Sequence, residues 1–422
     1  MDCELLTVGT ELVLGFTINT NAADMGRVLA DAGVRVRHAA SVIDDPALVK
    51  DAVRAALDRS GIVIISGGLG PTRDDLTKAA VAELFGKPLR RDEALATRLR
   101  ELFRSRGVAN MPESNLVQAD VPEGATVLEN AIGTAPGLWI ETNGRLAILL
   151  PGVPKEMRAL MEKEVVPRLI ERGGPAAQTH GRTVTRSRTL RTTGIGESAL
   201  ADKLGDYQKQ LGEHVTLAFL PSVAGTDLRL TAWNVPEAEA AVMLSRADDA
   251  LRPKLGDRVY GLDGDDLAAV VLGKLEAARV KLAVAESCTG GLLGARLTAI
   301  PGSSRVFLGG VIAYGNDAKL QMLGVSADDL AAHGAVSETV ARQMAAGVAR
   351  SLDAEAAIAI TGIAGPIGGT PEKPVGTVWI AVKFRETERA FTHVFVGDRE
   401  DIRGRAAQWA LDHLRRTLAT AS

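Results

Sequence analysis

The chain has 422 residues, 46% hydrophobic and 24% charged, the balance of a globular protein too long for one compact domain. A net charge of −3 and only 4% aromatic residues give no electrostatic or stacking basis for nucleic-acid binding. Two cysteines, Cys3 and Cys288, exclude a disulfide framework or a zinc cluster. No apolar run is long enough to span a membrane, and a strand begins almost at once with no charged leader, so a reducing cytoplasm is the expected setting.

Residues 4–8 read as a short strand and 9–15 as a polar, glycine-flanked turn. Residues 20–33 read as a helix capped by Thr20 or Asn21, with Ala22, Met25, Val28 and Leu29 on its apolar stripe. Residues 34–42 alternate like a strand, Asp44-Asp45-Pro46 opens a helix to about residue 60, and 62–65 form a buried strand. This alternation predicts an α/β, doubly wound parallel sheet with ligands at the strand carboxyl ends. Next comes Ser66-Gly-Gly-Leu-Gly-Pro-Thr-Arg-Asp-Asp-Leu-Thr77, whose glycines are suited to wrap a phosphate or pyrophosphate. Thr72, Asp74 and Asp75 stand at the mouth of the following helix, and adjacent carboxylates beside a phosphate suit a divalent cation. An acidic first turn favoured by the helix dipole is the alternative. Two more segments fall at strand carboxyl ends: Gly9-Thr-Glu11 with Asn19, and Leu150-Pro-Gly-Val-Pro-Lys-Glu-Met157, which starts a helix at Pro154.

Over residues 1–170 these three segments resemble the molybdopterin-binding (MoCF-like) domain at the front of the CinA, or competence/damage-inducible protein A, family. The resemblance implies a nucleotide site that hydrolyses the pyrophosphate of ADP-ribose with a divalent metal (Mg, Mn or Co), potassium being a further candidate ion. It implies nucleotide or phosphate contacts at Gly9, Glu11, Asn19, Asp44, Gly67, Gly68, Gly70, Thr72, Asp74 and Asp75, with Glu156 nearby and the metal on Asp44 and Asp75. Molybdenum-cofactor relatives use the same frame for adenylyl transfer, so fold does not decide the chemistry.

Residues 171–181 read as a linker, followed by a small α+β unit to about residue 255. Strands are expected at 182–192, 215–220 and 226–233, and helices at 196–204 and 236–251, the last with Ala238, Ala241, Val242 and Leu244 inward. Arg186, Arg188 and Arg191 share a strand face and read as solvated. With no convergent acid, base or metal set, the unit reads as a spacer or dimerising module, and a homodimer is expected.

The last third, residues 256–422, is organised around Lys281-Leu-Ala-Val-Ala-Glu-Ser-Cys-Thr-Gly-Gly-Leu-Leu293. A buried strand runs into a tight turn and then a helix, where free N–H groups carry partial positive charge. A hydroxyl or thiol there can attack a carbonyl, although Ser and Thr at such turns are also ordinary caps. A strand at 306–314 leads into a helix with Asn316 as its cap and Lys319 one turn in. A lysine is usually a solvated charge, and it acts as a base only when desolvated. The strand at 356–361 ends in the glycine-rich loop 362–370, and a helix from 399 to 418 closes the chain.

Ala285-Glu-Ser-Cys-Thr-Gly-Gly291, Ala313-Tyr-Gly-Asn-Asp-Ala-Lys319 and Thr361-Gly-Ile-Ala-Gly-Pro366 resemble the C-terminal domain of the CinA family, also found as a stand-alone nicotinamide-nucleotide amidase. That resemblance implies deamidation of nicotinamide mononucleotide by a Ser–Lys pair needing no cofactor. Ser287 is then the nucleophile, Lys319 the base, and Tyr314 and Asn316 orient the lysine or carboxamide. Amides near Thr289, Gly290 and Gly291 form the oxyanion site, while Thr361, Gly362, Gly365, Gly369 and Thr370 hold the ribose phosphate with Arg399 or Arg403. Cys288 is the rival nucleophile, but no histidine lies in a motif to pair with it. A nucleotide-sensing regulator is the competing class of function, although binding alone needs neither Ser287 nor Lys319.

Overall fold

The computed structural model describes residues 1–108, 110–172 and 183–420. The chain divides into two compact units, residues 1–186 with 232–241, and residues 187–231 with 242–422.

In the first unit β1 (Asp2–Val8), β2 (Arg35–Val42), β3 (Ile62–Ser66) and β8 (Arg145–Leu150) are parallel, and β6 (Thr126–Leu128) and β7 (Gly137–Thr142) extend the sheet antiparallel in the order β2-β1-β3-β8-β7-β6. A side ribbon pairs β4 (Leu89–Arg91) with β5 (Asp120–Pro122). The continuous apolar run of β3 follows from burial on both faces. Ile62 and Ile64 pack with Met25, Leu29 and Met157, while Val63 and Ile65 pack with Val49, Val53 and Val81. Asn19, not Thr20 or Asn21, caps the Thr20–Asp31 helix, its side chain accepting from the Ala22 amide. The expected turn at 9–15 contains a helical turn, Thr10–Val13.

The middle sheet has the order β10-β11-β9-β12, made of β9 (Thr183–Thr192), β10 (Val215–Ser222), β11 (Gly225–Pro236) and β12 (Val259–Leu262). Because β12 pairs with β9, this sheet runs past the expected boundary at residue 255. Apart from Glu171 and Arg172, which end a helix, the expected linker at 171–181 lies outside the described residues, as does Arg182. The Glu237–Leu255 helix buries Ala240, Leu244, Ala247 and Leu251 and leaves Ala238, Ala241 and Val242 exposed, so only Leu244 of the expected inward set is inside. Asp248 sets this phase: it is buried and paired with Arg188 and Arg252, a constraint that an alanine-rich stripe does not announce.

The C-terminal sheet has the order β14-β13-β15-β16-β17. Its β13 (Leu282–Glu286), β14 (Phe307–Ile312) and β15 (Ala356–Gly362) are parallel, and β16 (Thr377–Phe384) and β17 (Thr387–Val394) are antiparallel. Residue size alternates with face. Leu282, Val284, Ile358 and Ile360 meet the Leu267–Ala277 and Arg399–Thr420 helices, whereas Ala283, Ala285, Ala357 and Ala359 let the Glu338–Leu352 helix lie close on the other side.

Candidate active site

Three loops meet at the carboxyl edge of the C-terminal sheet, one after each parallel strand, where such sheets place their ligands. After β13 the Ser287 amide donates to Ile360 O at 2.9 Å, and Ala313 after β14 donates to Glu286 O at 2.8 Å. Ser287 therefore sits between the ends of β14 and β15. The helix that follows its turn, Leu292–Thr298, does not offer a free N-terminus. Glu286, 1% exposed, accepts from the amides of Gly291 (3.0 Å), Leu293 (3.1 Å) and Gly294 (2.8 Å). Gly290 donates to Ser287 O. The expected oxyanion amides at Gly290 and Gly291 are thus occupied. Among the described residues, those of Cys288 and Thr289 have no acceptor in the chain. Thr289 is fully buried and its hydroxyl is unpartnered. Gly290 and Gly291, at φ 60° and 95°, provide the backbone this tight turn requires.

Among the described residues Lys319 is the largest fully buried side chain. Its Nζ donates to the carbonyls of Ala313 (2.9 Å) and Tyr314 (3.2 Å), with Gly315 O at 3.5 Å. Burial lowers its pKa below the ordinary lysine value. Burial pushes the Cys288 thiol up to about 12, so it is protonated near neutral pH, and none of the described histidines approaches it; His393 and His413 bond each other at 2.8 Å. Asn316 does not cap: Gly315 holds the cap position with no side-chain bond, and Asn316 is exposed.

The two low-numbered arginines of the closing helix bind these loops together. Arg399 donates to Gly365 O (2.7 Å) and Tyr314 Oη (2.8 Å), and Arg403 to Thr289 O (2.8 Å). The amides of Gly365, Ile367, Gly368 and Gly369 have no protein acceptor among the described residues, which suits an anion. Thr361 and Thr370 serve the scaffold instead. The Thr361 hydroxyl donates to Ala335 O, and Thr370 closes its own turn with Lys373.

In the first unit the ends of β1, β2, β3 and β8 are joined by Gly9 N to Val42 O and Gly67 N to Leu150 O, both 3.0 Å. A Cβ on Gly67 would meet Val8 O at 2.2 Å, so this crossing requires glycine. Asp44 Oδ2 accepts from the Thr10 amide and hydroxyl at 2.8 Å, and Asp75 Oδ2 accepts from the Thr72 amide at 2.8 Å while lying against Gly70. Asn19 ties Thr7 and Ser41 together, Glu11 lies on Gly9, and Glu156 accepts from Asn130 at 2.7 Å rather than facing the phosphate loop. Gly68 presses on Thr77, whose buried hydroxyl is unpartnered, as is the Oδ1 of Asn21. Among the described residues no three His, Cys, Asp or Glu side chains converge to hold a metal ion.

The pattern of segments is matched in full by known proteins. Residues 264–418 match the CinA C-terminal domain, 4–171 the probable molybdopterin binding domain, and 187–261 the damage-inducible protein CinA KH domain. A CinA-like protein of Gemmatimonas aurantiaca is 51% identical over 99% of this chain and 97% of its own length. A putative competence-damage inducible protein of Caldicellulosiruptor saccharolyticus is 42% identical over 99% of both chains. The chain belongs to the CinA family. A solved CinA superfamily protein from Klebsiella pneumoniae is 39% identical, covering 36% of this chain and 96% of its own, with a TM-score of 0.36. The CinA and molybdopterin-type domains support a nucleotide-processing enzyme.

Within this CinA-family chain the KH-type module connects its helices Glu197–Leu204 and Gln208–Leu211 by Gly205-Asp206-Tyr207, without the GxxG loop that clamps nucleotides in KH domains. Its arginines are not a free solvated face either: Arg186 pairs with Asp31 and Glu237, Arg188 with Asp248 and Arg191 with Asp227. Among the described residues no helix is long and apolar enough to cross a membrane. Sequence reasoning missed Glu286 as a cap, Asn21 and the Asn130 loop at the front site, and Lys78, a buried cation pushed down to about 8 by desolvation. For Asn130 a signal was present, since Asn-Ala-Ile-Gly-Thr-Ala-Pro is rich in turn residues.

Proposed function

We propose that the C-terminal domain hydrolyses the carboxamide of nicotinamide mononucleotide to nicotinate mononucleotide and ammonia. The observation that carries this reading is the desolvated Lys319 at the same sheet edge as Ser287. A neutral amine has two N–H groups and one lone pair. Ala313 O and Tyr314 O accept the two, the 3.5 Å approach to Gly315 O is too long for a third good bond, and the lone pair is left for the Ser287 proton. Ser287 Oγ attacks the carboxamide carbon as Lys319 takes its proton, and the oxyanion is met by the Cys288 and Thr289 amides. Collapse breaks the C–N bond, and the proton on Lys319 leaves with ammonia. Water, deprotonated by the same amine, then cleaves the acyl-serine ester. Arg399 and the free amides of Gly365, Ile367, Gly368 and Gly369 take the ribose phosphate. Ammonia release from nicotinamide mononucleotide tests this directly. Ser287→Ala is expected to abolish it and Cys288→Ala to change it only a few-fold; the reverse pattern establishes a thiol mechanism.

We further infer that the first unit hydrolyses ADP-ribose to AMP and ribose 5-phosphate. Among the described residues Asp44 and Asp75 each keep one carboxylate oxygen without a protein donor, a donor set that fits a divalent ion sharing substrate phosphates. Such an ion would neutralise charge developing on the pyrophosphate. The glycine turn Gly67–Gly70 would wrap the phosphates. The assembly is read as a homodimer of nucleotide-binding chains that does not engage nucleic acid.

A further inference from the structure

The closing helix carries Gly404 in its interior, immediately after Arg403. Glycine there costs about 1 kcal/mol relative to alanine, so its presence asks for a steric reason. The reason is a neighbour from the middle module: a Cβ on Gly404 would lie 2.9 Å from Cγ1 of Val223. Val223 and Ala224 form the tip between β10 and β11, pinned by the Ser222 hydroxyl, which donates to Gly225 O and accepts from the Ala224 amide.

The tip roofs a cavity of about 400 Å³ whose other walls include Leu292, Arg296 and Arg403. Leu292 opens the helix after the Ser287 turn, and Arg403 donates to Thr289 O at 2.8 Å beside the longer bond from the Leu292 amide at 3.3 Å. Deeper along the same helix, Gln408 bonds both Arg296 (2.7 Å) and Thr193 of the middle module (3.4 Å). Arg415 and Arg416 reach Asp257 at 2.6 and 2.7 Å. One helix therefore carries the amidase loops on its first turns and the middle module along the turns that follow.

We propose that the hairpin tip Val223–Ala224 is a positioning element of the amidase turn: by seating on Gly404 it sets where Arg403 holds Thr289, and hence where the Cys288 and Thr289 amides face the reacting carbonyl. The inference rests on the amidase reading above. A spacer would hang from the closing helix without touching the segment that carries Arg403. Here the touching atoms are one residue from it.

The test swaps a methyl across the contact in the full-length chain. Val223→Ala removes the atom that Gly404 faces, and Gly404→Ala adds one in its place. Each single variant is expected to lower kcat for nicotinamide mononucleotide three- to tenfold with KM within twofold, and V223A/G404A together to return kcat to within twofold of the parent. Amide hydrogen exchange across residues 286–293 should quicken in both single variants and recover in the double one, while β16 and β17 stay unchanged. Gly404→Ala raises helix propensity, so a loss of kcat with an unchanged or higher melting temperature separates positioning from simple destabilisation. Additive losses, or single variants with parental kcat and exchange, overturn the proposal. Absence of ammonia release in the parent overturns the amidase reading instead, and the exchange measurement still decides whether the tip holds the turn.

Discussion

Replacing Lys319 by methionine separates the two things that burial does to this lysine. Methionine has similar length and no charge, so the site stays filled. The kinetic consequence is loss of the base, and kcat for deamidation should fall about a hundredfold or more, the scale of removing one member of a catalytic unit. The thermodynamic consequence depends on pH. The folded-state pKa lies below the unfolded value of about 10.4, so between these two values the unfolded chain binds more protons than the folded one. The stability contributed by the neutral amine is therefore complete above about 10.4 and is lost as pH falls through the folded-state value, by about 1.4 kcal/mol per pH unit in that window. Methionine escapes this term. It does leave the Ala313 and Tyr314 carbonyls without their donor, which costs about 1–3 kcal/mol each at every pH. K319M should thus be clearly less stable than the parent at high pH, and the gap should narrow as pH is lowered. Urea unfolding of both proteins across the alkaline range, followed beside ammonia release, measures each consequence. A gap that stays constant or widens on lowering the pH would show that Lys319 is charged in the folded protein, and the base assignment would fail with it.

Glu286→Gln keeps one acceptor oxygen but turns an N–H group toward amides that need an acceptor; unfolding stability should drop by about 2–3 kcal/mol, and a loss under half that would mean the three amide bonds are not what holds the turn. His413, pushed down to about 3 by burial, stays neutral in the fold while the unfolded chain protonates near pH 6.5, so its stabilisation is present above that pH and is lost as pH falls toward 3; H413Q should unfold at a lower pH in a circular-dichroism titration, and an identical acid midpoint contradicts this. Asp75→Ala or excess chelator should abolish AMP release from ADP-ribose and leave deamidation intact, whereas undiminished turnover removes the metal reading. Light scattering should give twice the 44.3 kDa chain mass, and a monomer across micromolar concentrations rejects the dimer.

The sheets were legible because their central strands are short continuous apolar runs, the pattern that burial on both faces produces. Ile62–Ile65 and Leu282–Ala285 each give one residue set to each face, and the structure places them so. The site loops were legible for a related reason: polar residues and glycines follow directly on apolar strands. What stayed hidden was which polar atoms the fold uses for itself. Asn19, Thr361, Thr370 and Glu156 look like ligand contacts by position, yet Asn19 and Thr370 close a cap and a turn with residues three positions on, and Thr361 and Glu156 close loops onto Ala335 and Asn130, 26 residues away, a separation no local pattern shows. The Glu237–Leu255 helix was read out of phase because alanines fit either stripe, and only the buried Asp248 ion pairs choose between them.

Glu286 shows how one such internal bond shapes function. A glycine turn entering a helix ordinarily attracts an anion, and a nucleotide offers a phosphate for it. In this protein the buried Glu286 carboxylate already occupies that helix end, so a substrate phosphate arriving there meets negative charge. Under the proposed reading the phosphate goes instead to Arg399, which bonds Tyr314 Oη, and to the unsatisfied amides of Gly365, Ile367, Gly368 and Gly369. In that reading the opposite end of the ligand, an uncharged carboxamide, would face Ser287 and the amides of Cys288 and Thr289. Under the proposed reading, the glutamate that denies the turn an anionic ground-state ligand is what keeps its two free amides for the anion that forms only during reaction.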